Sequence, residues 1–314
     1  MRAVTSSQGS VSVIDVDEPV GEGELITVSS SGICGSDLHL IANGLSGIIL
    51  GHEFGGYTST GALVAVRPTG ECGTCHQCKR GVPNTCAQAA GSLHGTSIDG
   101  GLAEFVRVDS SRLYPMPEGT DPASVGLVEP LAVVIHGINR VTLAPGQRVL
   151  IVGAGSIGLL CAAALVDRHI EVDIVARHPH QAAAAEALGA TAVSQPGRHY
   201  DASFDAVCTQ ESFDSCIAAT RPRGDMVELG VFWGPITIGN SLLMKEITLY
   251  PSIFYSHDHV HDDFAEAIDL LSRTPQITSN LVTHRFSLED APEAFRVAAD
   301  RHSGAIKVHL FTAL

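Results

Sequence analysis

The sequence predicts an α/β protein of two domains, one rich in β-strands and one built on a doubly wound parallel sheet. Three observations carry that expectation. A chain of 314 residues is too long for one ordinary core and suits two. Up to Pro117 it reads as short alternating segments with glycine turns and little helical periodicity. From Pro145 a buried strand, a glycine turn, a helix and a second strand follow one another, the order of a parallel sheet.

Taken in order, MRAVTSS, SVSVIDV and LITVSSSGI alternate apolar with polar residues, the period of a half-buried strand. The third delivers the chain to Cys34 at a strand exit, where functional side chains are commonly displayed. The stretch GICGSDLHLIANGLSGIILGHEF then offers a thiol at Cys34, an imidazole at His52 and a carboxylate at Glu53. Sulfur, nitrogen and oxygen donors of this kind suit a four-coordinate zinc with one position open. Ser36 and His39 add two proton-handling groups three residues apart. Each residue alone also has a plain reading, as a buried cysteine, a hydrogen-bonded core histidine and a surface glutamate.

ECGTCHQCKRGVPNTC places Cys72, Cys75, Cys78 and Cys86 in the spacing C-x2-C-x2-C-x7-C. Four thiolates in a loop rich in glycine and proline close a tetrahedron around zinc with no position for water, so this site would be structural. Two disulfides or an iron–sulfur cluster are the rival readings. SLHGTSIDGGLAEFVRVDSSRLYPMP is again β in texture, with His94 reading as a polar loop residue. DPASVGLVEPLAVVIHGINRV is apolar at helical spacing and starts at Asp121 and Pro122. Glu129, inside that segment, needs a partner or a metal; a salt-bridged or capping glutamate is its plainer reading.

In QRVLIVGAGSIGLLCAAALVDRHIEVDIVARHPH the glycines Gly153, Gly155 and Gly158 form G-x-G-x-x-G between strand and helix, with Ser156 and Ile157 opening the helix. The first glycine makes the turn, the second admits a pyrophosphate to the backbone, and the third lets helix and strand pack closely. Helix N-terminal amides then hold the phosphates. FDAVCTQ, GDMVELGV and ITLYPSIF read as further strands and SFDSCIAATRP as a helix. Where an acidic residue would mark NAD, at the end of the second strand, stand Ala176, Arg177 and His178. A cation without the carboxylate favours NADP(H) over NAD(H); Asp173 is acidic but falls inside the strand. DDFAEAIDLLSR and APEAFRVAADR read as amphipathic helices and AIKVHLFTAL as a closing strand. His257, His259 and His261 read as a solvated loop rather than a metal site, and Cys161, Cys208 and Cys216 as buried core thiols in apolar surroundings.

A net charge of −15 argues against nucleic acid or an anionic membrane as partner. No stretch approaches the roughly 18 consecutive apolar residues of a membrane span, and the N-terminal segment shows no secretory pattern. Eight cysteines without such a signal point to metal ligands and a cytoplasmic home.

With GICGSDLH, GHEFGG, the four-cysteine loop, VEPLAVVIHG, VLIVGAGSIG and SGAIKVHL in this order, the chain resembles the zinc-dependent alcohol dehydrogenases of the medium-chain dehydrogenase/reductase family over essentially its whole length. Glutamate rather than cysteine at residue 129 favours the sorbitol and polyol dehydrogenase branch. The resemblance implies a discontinuous GroES-like catalytic domain, residues 1–130 and 256–314, with a Rossmann domain of residues 131–255 inserted. It implies two zinc ions per chain, a catalytic one on Cys34 and His52 with Glu53 and Glu129 as carboxylate ligands, and a structural one on the four cysteines. Ser36 and His39 would relay the proton, and Asp37 would accept from the ring N–H of His52. The implied reaction is hydride transfer between NADP(H) and a primary or secondary alcohol, polyol or sugar-like, in a homodimer or homotetramer. A zinc-independent quinone or enone reductase and a non-catalytic NADP(H)-binding regulator are the alternatives. The intact Cys34, His52 and Glu53 set argues against the first, and retention of Ser36 and His39 against the second. One departure stands out: His52 to Cys72 is shorter than usual, with GALVAVRP in place of the common G-D-R-V segment.

Overall fold

The computed structural model describes residues 1–257 and 261–312. They form two compact units, Met1–Glu129 with Ser256–Leu314, and Pro130–Tyr255. The first unit opens with a hairpin of strands Arg2–Ser7 and Ser10–Asp15. Gln8 and Gly9 between them both have positive φ, as a two-residue turn matched to strand twist requires.

The main sheet of this unit has seven strands. Val282–Ser287, Lys307–Phe311, Glu24–Gly32, Glu53–Tyr57, Leu63–Val66 and Leu113–Pro115 lie in that order, and Phe105–Val108 also pairs with Glu24–Gly32. The first two run parallel and the other pairings are antiparallel. Glu24–Gly32 alternates along its first half and is buried on both faces at its end. Its last residue, Gly32, lies opposite Glu53 on one side and His309 on the other. That register brings both ends of the chain to one point. A side chain at Gly32 would collide with the Glu53 carboxylate and crowd Lys307 and His309, so only glycine fits the crossing.

The second unit holds a parallel six-stranded sheet in the order Thr191–Val193, Glu171–Val175, Arg148–Val152, Tyr200–Asp205, Thr220–Glu228, Thr248–Pro251. Arg148–Val152 is buried from its second residue onward, as a central parallel strand must be. The chain builds outward from it to one side, then returns to its other side at Tyr200–Asp205. That reversal opens a crevice at the carboxyl ends of the strands, the usual ligand position of such sheets.

The helix Val125–Asn139 carries the chain from the first unit into the second. The window Pro122–Asn139 has a mean hydropathy of 1.2, long and apolar enough to cross a membrane, which the sequence reading did not expect. Since 83% of it is buried within the protein, its apolar residues are accounted for by the core.

Candidate active site

Cys34 ends the run from Glu24–Gly32 and caps the helix Gly35–Ala42 with an extended backbone. Asp37, at the third helical position and fully buried, does two things. Its Oδ2 accepts from the Cys34 backbone N–H at 2.9 Å, and its Oδ1 lies 3.1 Å from His52 Nδ1. The helix start is thereby capped and the His52 ring oriented with the same carboxylate. With Nδ1 engaged, Nε2 is left for a ligand, and Ser36 Oγ lies 3.3 Å from it. Glu53 follows His52 as the first residue of its strand. One donor atom each from Cys34, His52 and Glu53 falls within 4.8 Å of the others. The donor types, the burial of His52 and Glu53, and the orientation of the ring all fit zinc.

Burial disfavours the charged imidazole of His52, yet the Asp37 carboxylate and the Cys34 sulfur outweigh it and hold its pKa well above the usual range. Glu53 forms a fully buried ion pair with Lys307, which the sequence reading missed. A lysine inside the otherwise buried strand KVHLF was the available signal, since such a charge needs a partner. Glu129 does not join the three-donor set. It is buried on the helix Val125–Asn139, and burial, reinforced by Glu53 and opposed by His52, raises its pKa to about 8. His39 lies exposed in the last turn of Gly35–Ala42, three residues beyond Ser36 and on the same helix face.

The four-cysteine loop forms a second cluster. Sulfur separations are 3.6 Å for Cys72–Cys86, 4.0 Å for Cys72–Cys78, 3.5 Å for Cys75–Cys78 and 3.8 Å for Cys75–Cys86. A tetrahedron with zinc–sulfur bonds of about 2.3 Å has edges of about 3.8 Å, and all four thiols stand free of one another at separations that suit a shared metal better than paired disulfides. Backbone N–H groups of Cys75, Cys78 and Gln88 point at the sulfurs of Cys72, Cys75 and Cys86. Hydrogen bonds from Thr74 and Cys75 pull the Cys72 thiol down to about 6.

In the parallel-sheet unit, Gly153 has φ +102° and Gly155 caps the helix Ser156–Asp167, which Ser156 and Ile157 open. A side chain at Gly158 would collide with the Gly153 carbonyl, so strand and helix approach as closely as the glycine pattern requires. The second strand ends at Val175, and Ala176, Arg177 and His178 follow, His178 capping the helix Pro179–Ala187. Asp173 lies within the strand and is held by Arg148 and by the Tyr200 hydroxyl at 2.6 Å. Arg177 is two-thirds exposed and lies 3.3 Å from Glu211, while the His178 and His180 rings stack at 5.5 Å.

Several sequence expectations change. His94 is a loop residue but a buried one: its Nδ1 pairs with the Asp99 carbonyl at 2.6 Å and its ring meets Phe54 edge-on. Cys161 and Cys216 are buried thiols as expected, but Cys208 faces two carboxylates. His257 pairs with Glu71 at 2.9 Å, and His259 lies outside the described residues.

Known proteins match this arrangement. The alcohol dehydrogenase GroES-like domain matches residues 21–118 and the zinc-binding dehydrogenase domain residues 156–273. D-xylulose reductase A of Aspergillus oryzae is 30% identical, over 86% of this chain and 85% of its own. L-idonate 5-dehydrogenase (NAD(P)(+)) of Escherichia coli K12 is 28% identical, over 92% and 91%. A candidate zinc-binding dehydrogenase of Sinorhizobium meliloti 1021, bound to NADP, superposes with a TM-score of 0.88 at 28% identity, covering 99% of this chain and 98% of its own.

Proposed function

From the premise that this chain belongs to the zinc-dependent medium-chain dehydrogenase/reductase family and is an alcohol oxidoreductase, we propose that it oxidises a polyol or sugar-like alcohol with NADP+. The observation that carries the reading is the buried set Cys34, His52 and Glu53, with His52 oriented by Asp37 so that Nε2 is available. When bound there, zinc supplies a Lewis acid for the substrate oxygen, and the nicotinamide supplies the hydride acceptor.

The chain's own residues do the rest. Ser36, beside His52 Nε2, takes up the alcohol proton at its hydroxyl and releases one outward. His39, exposed on the next turn, receives it at a ring nitrogen and hands it to solvent. Glu129, buried beside His52 and Glu53, supplies the further carboxylate of the zinc ligand set. The Gly153–Gly158 turn and the start of Ser156–Asp167 hold the pyrophosphate. Arg177, past a strand end with no carboxylate at Ala176, pairs with the 2′-phosphate, and His178 lies next to it.

A second zinc, structural, belongs to the four-cysteine cluster, and the near-equal sulfur separations support it. The named activities of the xylulose and idonate enzymes support a polyhydroxylated substrate. The open edge strand Thr248–Pro251 and the exposed Phe232, Trp233, Leu243 and Met244 support a homodimer or homotetramer. Eight free cysteines support a cytoplasmic, reducing compartment.

The test is a panel of polyols, sugar acids and simple alcohols assayed with both cofactors. Fastest turnover on a polyol or sugar acid with NADP+ is the expected result. Reaction confined to simple alcohols, or to quinones without zinc, would replace the reading.

A further inference from the structure

Away from both clusters, the parallel-sheet unit brings three more ligand-bearing residues together. Asp205 ends the strand Tyr200–Asp205 and Glu228 ends the neighbouring strand Thr220–Glu228; Cys208 stands in the turn after the first. They are 0%, 2% and 5% exposed, and one donor atom from each lies within 4.8 Å of the others.

Every other ingredient directs the donors inward. Asp205 Oδ1 accepts from the backbone N–H groups of Val207 and Cys208, both at 2.9 Å, and Ser212 Oγ donates to Oδ2 at 2.8 Å. These bonds pin Cys208 in the left-handed region, φ +57°, which a residue with a side chain adopts only when its surroundings impose it. The thiol then lies 3.1 Å from Glu228 Oε2 and accepts the Gly230 N–H at 3.2 Å. A Cβ at Gly230 would stand 2.9 Å from the sulfur, so glycine keeps the space open. Glu228 Oε1 is buried without a partner.

Two other buried acids are each matched by a cation, Glu53 by Lys307 and Asp173 by Arg148. Among the described residues no cationic side chain forms an ion pair with Asp205 or Glu228. Burial, with the Asp205 charge beside it, raises the Glu228 carboxyl to about 7. Two buried carboxyl groups without a cation must hold protons or a compensating ion. A proton shared between Cys208 and Glu228 Oε2 leaves Oε1 with nothing, whereas a cation engages the sulfur and both acids.

We propose that Asp205, Cys208 and Glu228 form an additional metal site that takes a zinc-class divalent ion. One sulfur and two oxygen donors suit such an ion, and a water completes four-coordination. Loading releases the thiol proton and the carboxyl proton to solvent. The ion clamps the turn Ala206–Thr209, whose Val207 side chain fills the space beside Gly153, and so stiffens the floor of the glycine turn.

The experiment is a difference measurement. Full-length wild type, Glu228→Gln and Cys208→Ser are saturated with zinc, dialysed against metal-free buffer and analysed for metal per chain. Far-UV circular dichroism and gel filtration check the fold. Wild type should carry one ion more than either variant. Failure of the Cys34 site or of the four-cysteine site to load would lower all three proteins alike and leave that difference intact. A cadmium titration adds a second reading: the sulfur-to-metal absorbance of wild type should contain one step that Cys208→Ser lacks. If a variant does not fold, the other variant and the wild-type step count decide. Equal metal in all folded proteins, with equal cadmium steps, would show a cluster that holds protons only and overturn the proposal.

Discussion

Asp37→Asn is the most informative single change, because the substitution keeps the shape and alters one property. The native carboxylate serves the Cys34 N–H through Oδ2 at 2.9 Å and the His52 ring through Oδ1, 3.1 Å from Nδ1. Asparagine can keep the first bond with its carbonyl oxygen. Its amide nitrogen then faces Nδ1, which must become an acceptor, and the ring proton moves to Nε2. That is the atom available for zinc. Charge-assisted hydrogen bonds contribute about 1.5–3 kcal/mol, and loss of such an orienting partner costs roughly 10- to 100-fold in metal affinity.

The effect should also depend on pH. His52 has a raised pKa in the metal-free protein, despite burial, through Asp37 and Cys34. Its protonated form therefore contributes stability in full below the ordinary value near 6.5, and that contribution fades as pH rises through the raised value. Zinc must displace this proton, so apparent affinity should climb with pH over the same window, by at most about tenfold per unit for one proton. In Asp37→Asn the slope should flatten. Competition with a chromophoric chelator across pH 6–8, roughly, measures both quantities, with circular dichroism as the fold control. Wild-type affinity and slope in the variant would refute the assignment of Asp37 and His52.

Three further outcomes follow from the same geometry. Cys34→Ser should stay folded and lose activity, whereas Cys78→Ser should melt earlier, because the four-cysteine loop has little apolar burial of its own; equal melting curves would contradict this. Arg177→Ala should weaken NADP(H) binding by roughly tenfold or more with little effect on NAD(H), measured by fluorescence titration; tighter binding of NAD(H) by the wild type would remove Arg177 from that role. His39→Gln should slow alcohol oxidation at neutral pH by roughly ten- to a hundredfold, with partial rescue by imidazole buffers and little change in cofactor affinity. A loss of cofactor binding without buffer rescue would take His39 out of the relay.

Much of this was legible in local sequence. Gly158 is required by the Gly153 carbonyl five residues before it, so the spacing of the glycine pattern is readable in the local sequence. Cys72, Cys75, Cys78 and Cys86 close their cluster inside one loop, and Asp37 reaches His52 from a neighbouring helix turn. Lys307 against Glu53 was not legible, because strand register joins the two ends of the chain there. Cys208 is buried as its sequence suggests, but what it meets there was not legible, for a related reason. Ala206 and Val207 before it are apolar, but Glu228 reaches it from the adjacent parallel strand. Local composition reports burial; only the pairing of strands reports what a buried group meets.

If Cys34, His52 and Glu53 hold a zinc, alcohol oxidation depends on that ion. The most direct test of that dependence is a zinc titration of chelator-treated enzyme whose circular dichroism is unchanged, following NADPH formation with a polyol substrate. Activity should be absent at the start, return in proportion to added zinc, and fail to return in Cys34→Ser. Full activity in the zinc-free enzyme, or recovery in Cys34→Ser, would contradict it.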